Sequence, residues 1–339
     1  MKHLKHNYLA MKKRQNIIPA FCSTRSARIL FTKVSKFIVL LFIISATPLK
    51  AQYQPQFTQY MFNEMVVNPA YAGARECLSA TLLYRNQWTG IEGAPVTESF
   101  SIHSPIVNQK MGLGLTVIND KITVMRNTGV FANYAYRLQL PKGKLSFGLQ
   151  AGFVNHIEKL SELTPNQIDD PQFASNTPKL LLPNAGFGMF YYTTNFYAGL
   201  SIPKLITNTV DASETKKVTN KTDAKNWNWH ITAGYVATLS ESIKLKPTVM
   251  LKKTGGSSID LDASLNALFN DLVWLGAAYR TQDAVSIVAG IQITKQMRFG
   301  YAFDYSTSSL KNFNGGSHEI TLGYDFSFDK TKIVTPRFF

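Results

Sequence analysis

Residues 318–328 read His-Glu-Ile-Thr-Leu-Gly-Tyr-Asp-Phe-Ser-Phe, and their polarity alternates without a break. Ile320, Leu322, Tyr324, Phe326 and Phe328 share one face of an extended strand, while Glu319, Thr321, Gly323, Asp325 and Ser327 share the other. A strand takes this period of two when one side meets an apolar medium and the other a polar one. The apolar side here is large and aromatic, and the pattern recurs along the chain. A membrane barrel satisfies it, with lipid outside and a polar lumen inside. A secreted sandwich also alternates, but its apolar faces would meet in one core.

The opening residues are basic, and an apolar run follows from Phe37 to Ile44, then small residues up to Ala51-Gln52. This order predicts a cleavable secretory signal over residues 1–51. The run is shorter than the roughly 20 apolar residues a membrane helix needs. The whole chain carries +15, but ten Lys/Arg and no Asp/Glu lie in residues 1–51, which leaves +5 for the rest. So modest an excess gives no reason to invoke nucleic acid. Cys22 departs with the signal, so Cys77 has no intramolecular partner for a disulfide.

Alternation and turn residues predict an all-β chain: a transmembrane antiparallel barrel of about fourteen strands over residues 76–328. The strands are expected near 76–86, 95–104, 110–118, 126–140, 143–156, 184–193 and 195–203. Seven more are expected near 226–239, 243–253, 258–269, 271–280, 283–294, 297–306 and 317–328. Connections after even strands are mostly tight, whereas those at 86–94, 157–183, 204–225 and 307–316 are long. Sorting of loop length by parity is expected of an outer-membrane barrel, with short turns periplasmic and long loops outside. Many glycines fall on the polar parity, where missing side chains relieve crowding in a closing sheet. Trp88, Tyr191, Tyr192, Trp227, Trp274 and Tyr279 near strand ends suit interfacial girdles. Arg137, Arg280, Arg298, Asp260, Asp262, Asp304 and Asp325 predict a lumen of mixed charge. Both barrel ends then lie on the short-turn side, with a periplasmic segment or plug at 52–75 and a periplasmic tail at 329–339.

Two stretches do not follow from barrel physics. Gln56-Phe57-Thr58-Gln59-Tyr60-Met61-Phe62-Asn63 leads into Asn68-Pro69-Ala70-Tyr71-Ala72-Gly73, and the Asn-Pro step favours a turn over a long strand. The segment reads either as packing inside the lumen or as a docking element, with Gln59, Tyr60, Asn68, Pro69 and Tyr71 as candidates. Tyr84-Arg85-Asn86-Gln87-Trp88-Thr89-Gly90-Ile91-Glu92-Gly93-Ala94-Pro95 forms the first long loop and adds Gln87, Trp88, Gly90 and Gly93. Near the end, Thr321, Gly323, Phe326 and Phe328 match the polar–Gly–aromatic–aromatic spacing of a barrel-insertion signal.

These strings, with Gly-Ser-His-Glu-Ile at 316–320 and Tyr-Ala-Gly-Leu-Ser-Ile-Pro at 197–203, closely resemble the PorP/SprF family of Bacteroidetes. The resemblance runs from about Gln52 to Phe339. It implies an outer-membrane barrel associated with type IX secretion. Some members belong to the core machine, and others serve the secretion or surface attachment of adhesins, including gliding adhesins. The implied partners are lipid, periplasmic secretion components and an exported surface protein. The family implies no enzyme, no cofactor and no metal.

The residues agree with that last point. His103-Ser104 and Ser317-His318-Glu319 are sequence neighbours, which a strand points to opposite faces, so no nucleophile–base pair forms. No Cys/His/carboxylate spacing fits a zinc site. The expectation is a non-enzymatic secretion or surface-attachment subunit of the outer membrane; the alternative is a passive porin or solute channel.

Overall fold

The computed structural model describes residues 55–106, 108–163, 176–210, 218–255 and 258–326. The expected signal, Phe328 and the tail at 329–339 lie outside the described residues.

The first strands are β1 (Leu78–Asn86), β2 (Val96–Ile106), β3 (Met111–Ile122), β4 (Met125–Leu140), β5 (Gly143–Glu158), β6 (Leu180–Tyr192) and β7 (Phe196–Ile202). A small hairpin of β8 (Thr207–Val210) and β9 (Val218–Lys221) follows, within what sequence predicts as a loop. Then come β10 (Trp229–Tyr235) and its short continuation β11 (Ala237–Thr238), followed by β12 (Ile243–Lys253) and β13 (Ile259–Phe269). The last are β14 (Val273–Arg280), β15 (Ala284–Gln292), β16 (Met297–Ser306) and β17 (Ser317–Phe326). Each neighbouring pair is antiparallel, β10 bonds both β7 and β12, and β1 bonds both β2 and β17. The result is a closed ring of fourteen wall strands, each matching a strand expected from the alternation. Closure leaves no edge, so ladder bonds satisfy the wall's backbone groups in a medium that offers no water.

The wall is uneven. β4 and β5 run for 16 residues, whereas β7 and β10 run for 7. A tilted strand needs about 9–11 residues to cross a bilayer, so β4 and β5 overshoot it. The connections β1–β2, β5–β6, β7–β10 and β16–β17 are long and open on one mouth; the turns at β2–β3, β4–β5 and β15–β16 are short and line the opposite rim.

The faces are inverted relative to a water-soluble fold. Ile287 is 64% exposed, Leu149 60% and Leu82 51%, while Ser79, Thr81, Arg85, Thr116, Asn133, Ser146, Asn266, Asp304 and Glu319 are buried inside. Along β17, Glu319, Thr321, Gly323 and Asp325 point inward, and Ile320 and Phe326 outward. Two expected girdle residues belong inside instead: Trp274 is 3% exposed and Tyr192 1%. Trp274 turns in because Gly290, next to it on β15, has no side chain and leaves room for the indole, which stacks on Phe62 at 5.3 Å. Tyr192 packs against Phe190 within a second inner aromatic cluster.

Ile287 sits mid-strand on β15, between Ala277 and Phe303, on the lipid side. Ile287→Arg is expected to lower stability by about 2–4 kcal/mol near the bilayer midplane, against about 0–1 for Thr307→Arg at the rim. Reversible denaturant unfolding in lipid vesicles reads the difference.

Candidate functional site

Residues 55–75 lie inside the ring. Local chemistry keeps them from joining the wall. Asn68 is extended and its side chain accepts the Ala70 N–H at 3.0 Å, while Pro69 opens a 3-10 turn over Pro69–Tyr71. Asn at the cap and Pro at the first turn position is a strong local stop signal. Two further 3-10 turns, Tyr60–Phe62 and Glu64–Val66, compact the segment, so it fills a cylinder instead of adding a strand.

At the long-loop mouth the segment is held by charge. The Thr58 and Gln59 N–H groups donate to the two carboxylate oxygens of Glu319 at 2.8 and 2.7 Å. The Thr58 hydroxyl donates to Asp304 at 2.8 Å and accepts from Arg85 at 2.9 Å. Arg85 also bridges Asp304 at 2.7 Å and Glu319 at 3.2 Å. Arg280 donates to the Phe57 carbonyl at 3.3 Å, and pairs with Asp262 and Asp283 at 3.0 Å each. Ionised partners make such bonds about twice as strong as neutral ones. Buried charges in this number persist only because nearly every one faces a counter-charge or a backbone dipole.

Midway, contacts turn apolar. Phe57, Tyr60, Met61 and Phe62 pack with Leu83, Met250, Leu268, Trp274 and Val288. Lys246 donates to the Met61 carbonyl at 3.3 Å, its ammonium 5.2 Å from the Phe62 ring centre and 5.9 Å from that of Tyr197.

Further along the segment the seat is steric. Asn68 donates to the Met189 carbonyl at 3.0 Å, Ser201 to Val67 at 2.6 Å and Ser146 to Ala70 at 2.7 Å. A Cβ added at Gly148 would fall on the Ala70 nitrogen, at Gly188 on the Asn68 side chain, and at Gly112 on the Ala72 carbonyl. These inward glycines form the trough in which residues 68–72 lie, a role beyond relieving curvature. At the short-turn rim Arg137 donates to Ala72 at 3.2 Å, and the Gly73 N–H donates to His103 at 3.0 Å. Arg75 and Arg298 both pair with Asp325, at 2.8 and 3.1 Å, and Ser79 donates to it at 2.6 Å.

The structure divides the candidate residues. Gln59, Tyr60, Asn68, Pro69 and Tyr71 are buried in the lumen. Gln87, Trp88, Gly90 and Gly93 belong to the β1–β2 connection at the mouth. There Trp88, Gly90 and Gly93 have φ of 52°, 92° and 73°, a left-handed backbone that glycine tolerates and tryptophan rarely adopts. The loop is tied down: Thr89 N–H donates to Gly316 at 2.8 Å, Gly315 N–H to Thr89 at 2.7 Å, and Thr123 N–H to Gly93 at 2.7 Å. Of the insertion-signal set, Thr321 and Gly323 face the lumen and Phe326 faces out.

The cavity beside Thr58, Tyr60, Asp262, Ser264, Arg280 and Ser286 offers about 10 Å³, room for about one water. A second, beside Gln59, Phe62, Trp274, Gly300 and Thr321, offers none. The four histidines among the described residues are scattered: His103 bonds Gly73, His156 lies beside Asn127 and Glu158, His230 is buried on β10, and His318 meets Tyr301 on the outer face. Among the described residues no group of His, Cys, Asp or Glu is placed to hold a metal. Sequence reasoning missed Arg85, Glu319 and Lys246 as grips on the segment. Inward parity was their signal, and Leu82-Leu83 blurs it at Arg85.

A protein-family profile described as "Type IX secretion system membrane protein PorP/SprF" matches residues 49–324. No curated protein matches the chain. Among solved structures, the Acinetobacter baumannii outer membrane protein Omp33 is similar at 8% identity and a TM-score of 0.44, over 74% of this chain and all of that one. A Pseudomonas aeruginosa FadL homologue is similar at 11% and 0.44, over 81% and 95%, and the KdgM porin at 10% and 0.35, over 74% and 99%.

Arg85→Met removes the nearest counter-charge of two buried carboxylates, Asp304 and Glu319, and is expected to cost about 3–5 kcal/mol. Unfolding in vesicles checks it. Gly148→Ala is expected to unseat residues 68–72 while the ring stays closed. Limited proteolysis should then cut the segment in a barrel that still runs as a folded species on an unheated gel.

Proposed function

The chain belongs to the PorP/SprF family of type IX secretion membrane proteins, and from that premise we propose that it is a non-enzymatic outer-membrane subunit that holds an exported, adhesin-like protein at the cell surface. One observation carries the reading: the lumen is filled by the protein's own residues, while loops at a single mouth are bonded into one surface. A barrel so filled is suited to presenting a surface, not to passing a solute.

Following the usual arrangement of such barrels, the short turns face the periplasm and the long loops face outward. Trp88, Gly90 and Gly93 then shape the face that an exported protein meets, together with the β16–β17 connection, while Gln87, buried beside Gln56, supports it from within. Gln59, Tyr60, Asn68, Pro69 and Tyr71 act indirectly, by holding the lumen segment that supports this face from below. Periplasmic secretion components have the short-turn rim available to them. The two cavities beside the segment, of about 10 Å³ and none, support this reading over the alternative, a passive solute channel.

Trp88→Ala is expected to leave barrel folding and membrane level unchanged and to reduce surface retention of the type IX cargo, read by immunoblot of cells against culture medium. Cargo retained at the normal level would exclude the mouth as the docking face. Wild-type protein in a planar bilayer is expected to be electrically silent; steady large openings would favour the channel instead.

A further inference from the structure

The segment in the lumen has a direction. Its lower end is fixed by the wall, since Arg75 pairs with Asp325 near the end of β17 and stands three residues before the start of β1. Its upper end sits at the other mouth. The Gln56 side-chain oxygen accepts from Arg280, the last residue of β14, at 3.3 Å, and lies 3.5 Å from the amide nitrogen of Gln87, which follows the last residue of β1. Both of those strands end on the side of the long loops. Between the two ends the path is uneven: Met61 meets Lys246 three residues above the short-turn end of β12, Val67 meets Ser201 near the long-loop end of β7, and Ala70 and Ala72 meet Ser146 and Arg137 back near the short turns, yet the two end contacts stand at opposite mouths. The chain therefore traverses the barrel once before it begins to build it.

We infer that residues 55–75 form a strap across the membrane, and that it delivers the head of the mature chain to the outer surface. The inference rests on the orientation proposed above, and of the two expectations for 52–75, a periplasmic segment or a plug, it extends the second. The head at Pro55 and Gln56, both partly exposed, becomes part of the surface that an exported polypeptide meets. The Arg75–Asp325–Arg298 cluster anchors the strap at the periplasmic rim. Anything that grips the head from outside pulls on a segment fixed at the inside.

Single cysteines in a Cys77→Ser background test this in intact cells with a membrane-impermeant maleimide. Asn312→Cys, in the β16–β17 connection, reports the long-loop face, and Lys142→Cys, in the β4–β5 turn, reports the short-turn face. These two read the orientation by themselves, so an inverted barrel is told apart from a failed strap. Gln56→Cys and Pro55→Cys are expected to label as completely as Asn312→Cys, and under the same conditions. Labelling that follows Lys142→Cys, appearing only after the outer membrane is permeabilised, would overturn the inference. So would a head that reacts in neither state although the unheated gel shows a folded barrel.

Discussion

A backbone placed in hydrocarbon has no water to bond, and every other feature of this structure follows from how that need is met. Each N–H and C=O of the wall must find a partner on a neighbouring strand, and the only sheet that gives all strands two neighbours is one closed on itself. The pairing of Leu78 with Phe326 is where that closure happens, since it joins the first strand to the last. Once the ring is closed, parity assigns the rest. Side chains of one parity meet lipid and become apolar; those of the other must be compatible with an enclosed, narrow interior.

That interior poses a second problem, which this chain solves largely with its own groups. Arg85, Arg280, Arg298, Asp262, Asp304, Glu319 and Asp325 line the lumen, and a charge in a dry cavity is costly unless paired. The wall charges pair partly with each other, and residues 55–75 supply much of what remains: backbone N–H groups for Glu319, a hydroxyl for Asp304 and Arg85, a guanidinium for Asp325. Segment and wall are thus complementary in charge at both ends and in shape at the glycine trough. Removing either member leaves the other unsatisfied, which makes the pair a single cooperative unit.

How much of this could be read from sequence depends on which physical rule writes the signal. Parity writes a strong one, so all fourteen wall strands were legible, and the inward and outward faces of β13 and β17 came out as the alternation implies. Strand ends were less legible: β3 runs on through Asn119-Asp120-Lys121 to Ile122, and β6 begins with the unbroken apolar run Leu180-Leu181-Leu182-Pro183, and neither stretch alternates although each continues the ladder. Trp274 and Tyr192 were misplaced because the girdle rule considers only position along a strand. What turned Trp274 inward was a missing side chain on the next strand, at Gly290. The lumen segment was legible as an anomaly only. Periodicity reports which side a residue faces, but not what lies opposite it, so the seat of Asn68 and the direction of the chain through the barrel left no periodic trace.

The course of residues 55–75 also dictates a chronology for biogenesis. They lead β1 and occupy the interior, where the carboxylates and guanidiniums that clasp them come from strands at both extremes of the sequence, Arg85 on β1 and Glu319 on β17. Inserting them into a finished cylinder would drag polar backbone past a glycine-lined bed with no spare room. The leader therefore has to be laid along the growing sheet early, so that the final zippering of β17 onto β1 wraps around it like a stave-built cask closing on its contents. A barrel that seals too soon would be hollow, and lining groups such as Glu319 would lose the partners that the segment supplies.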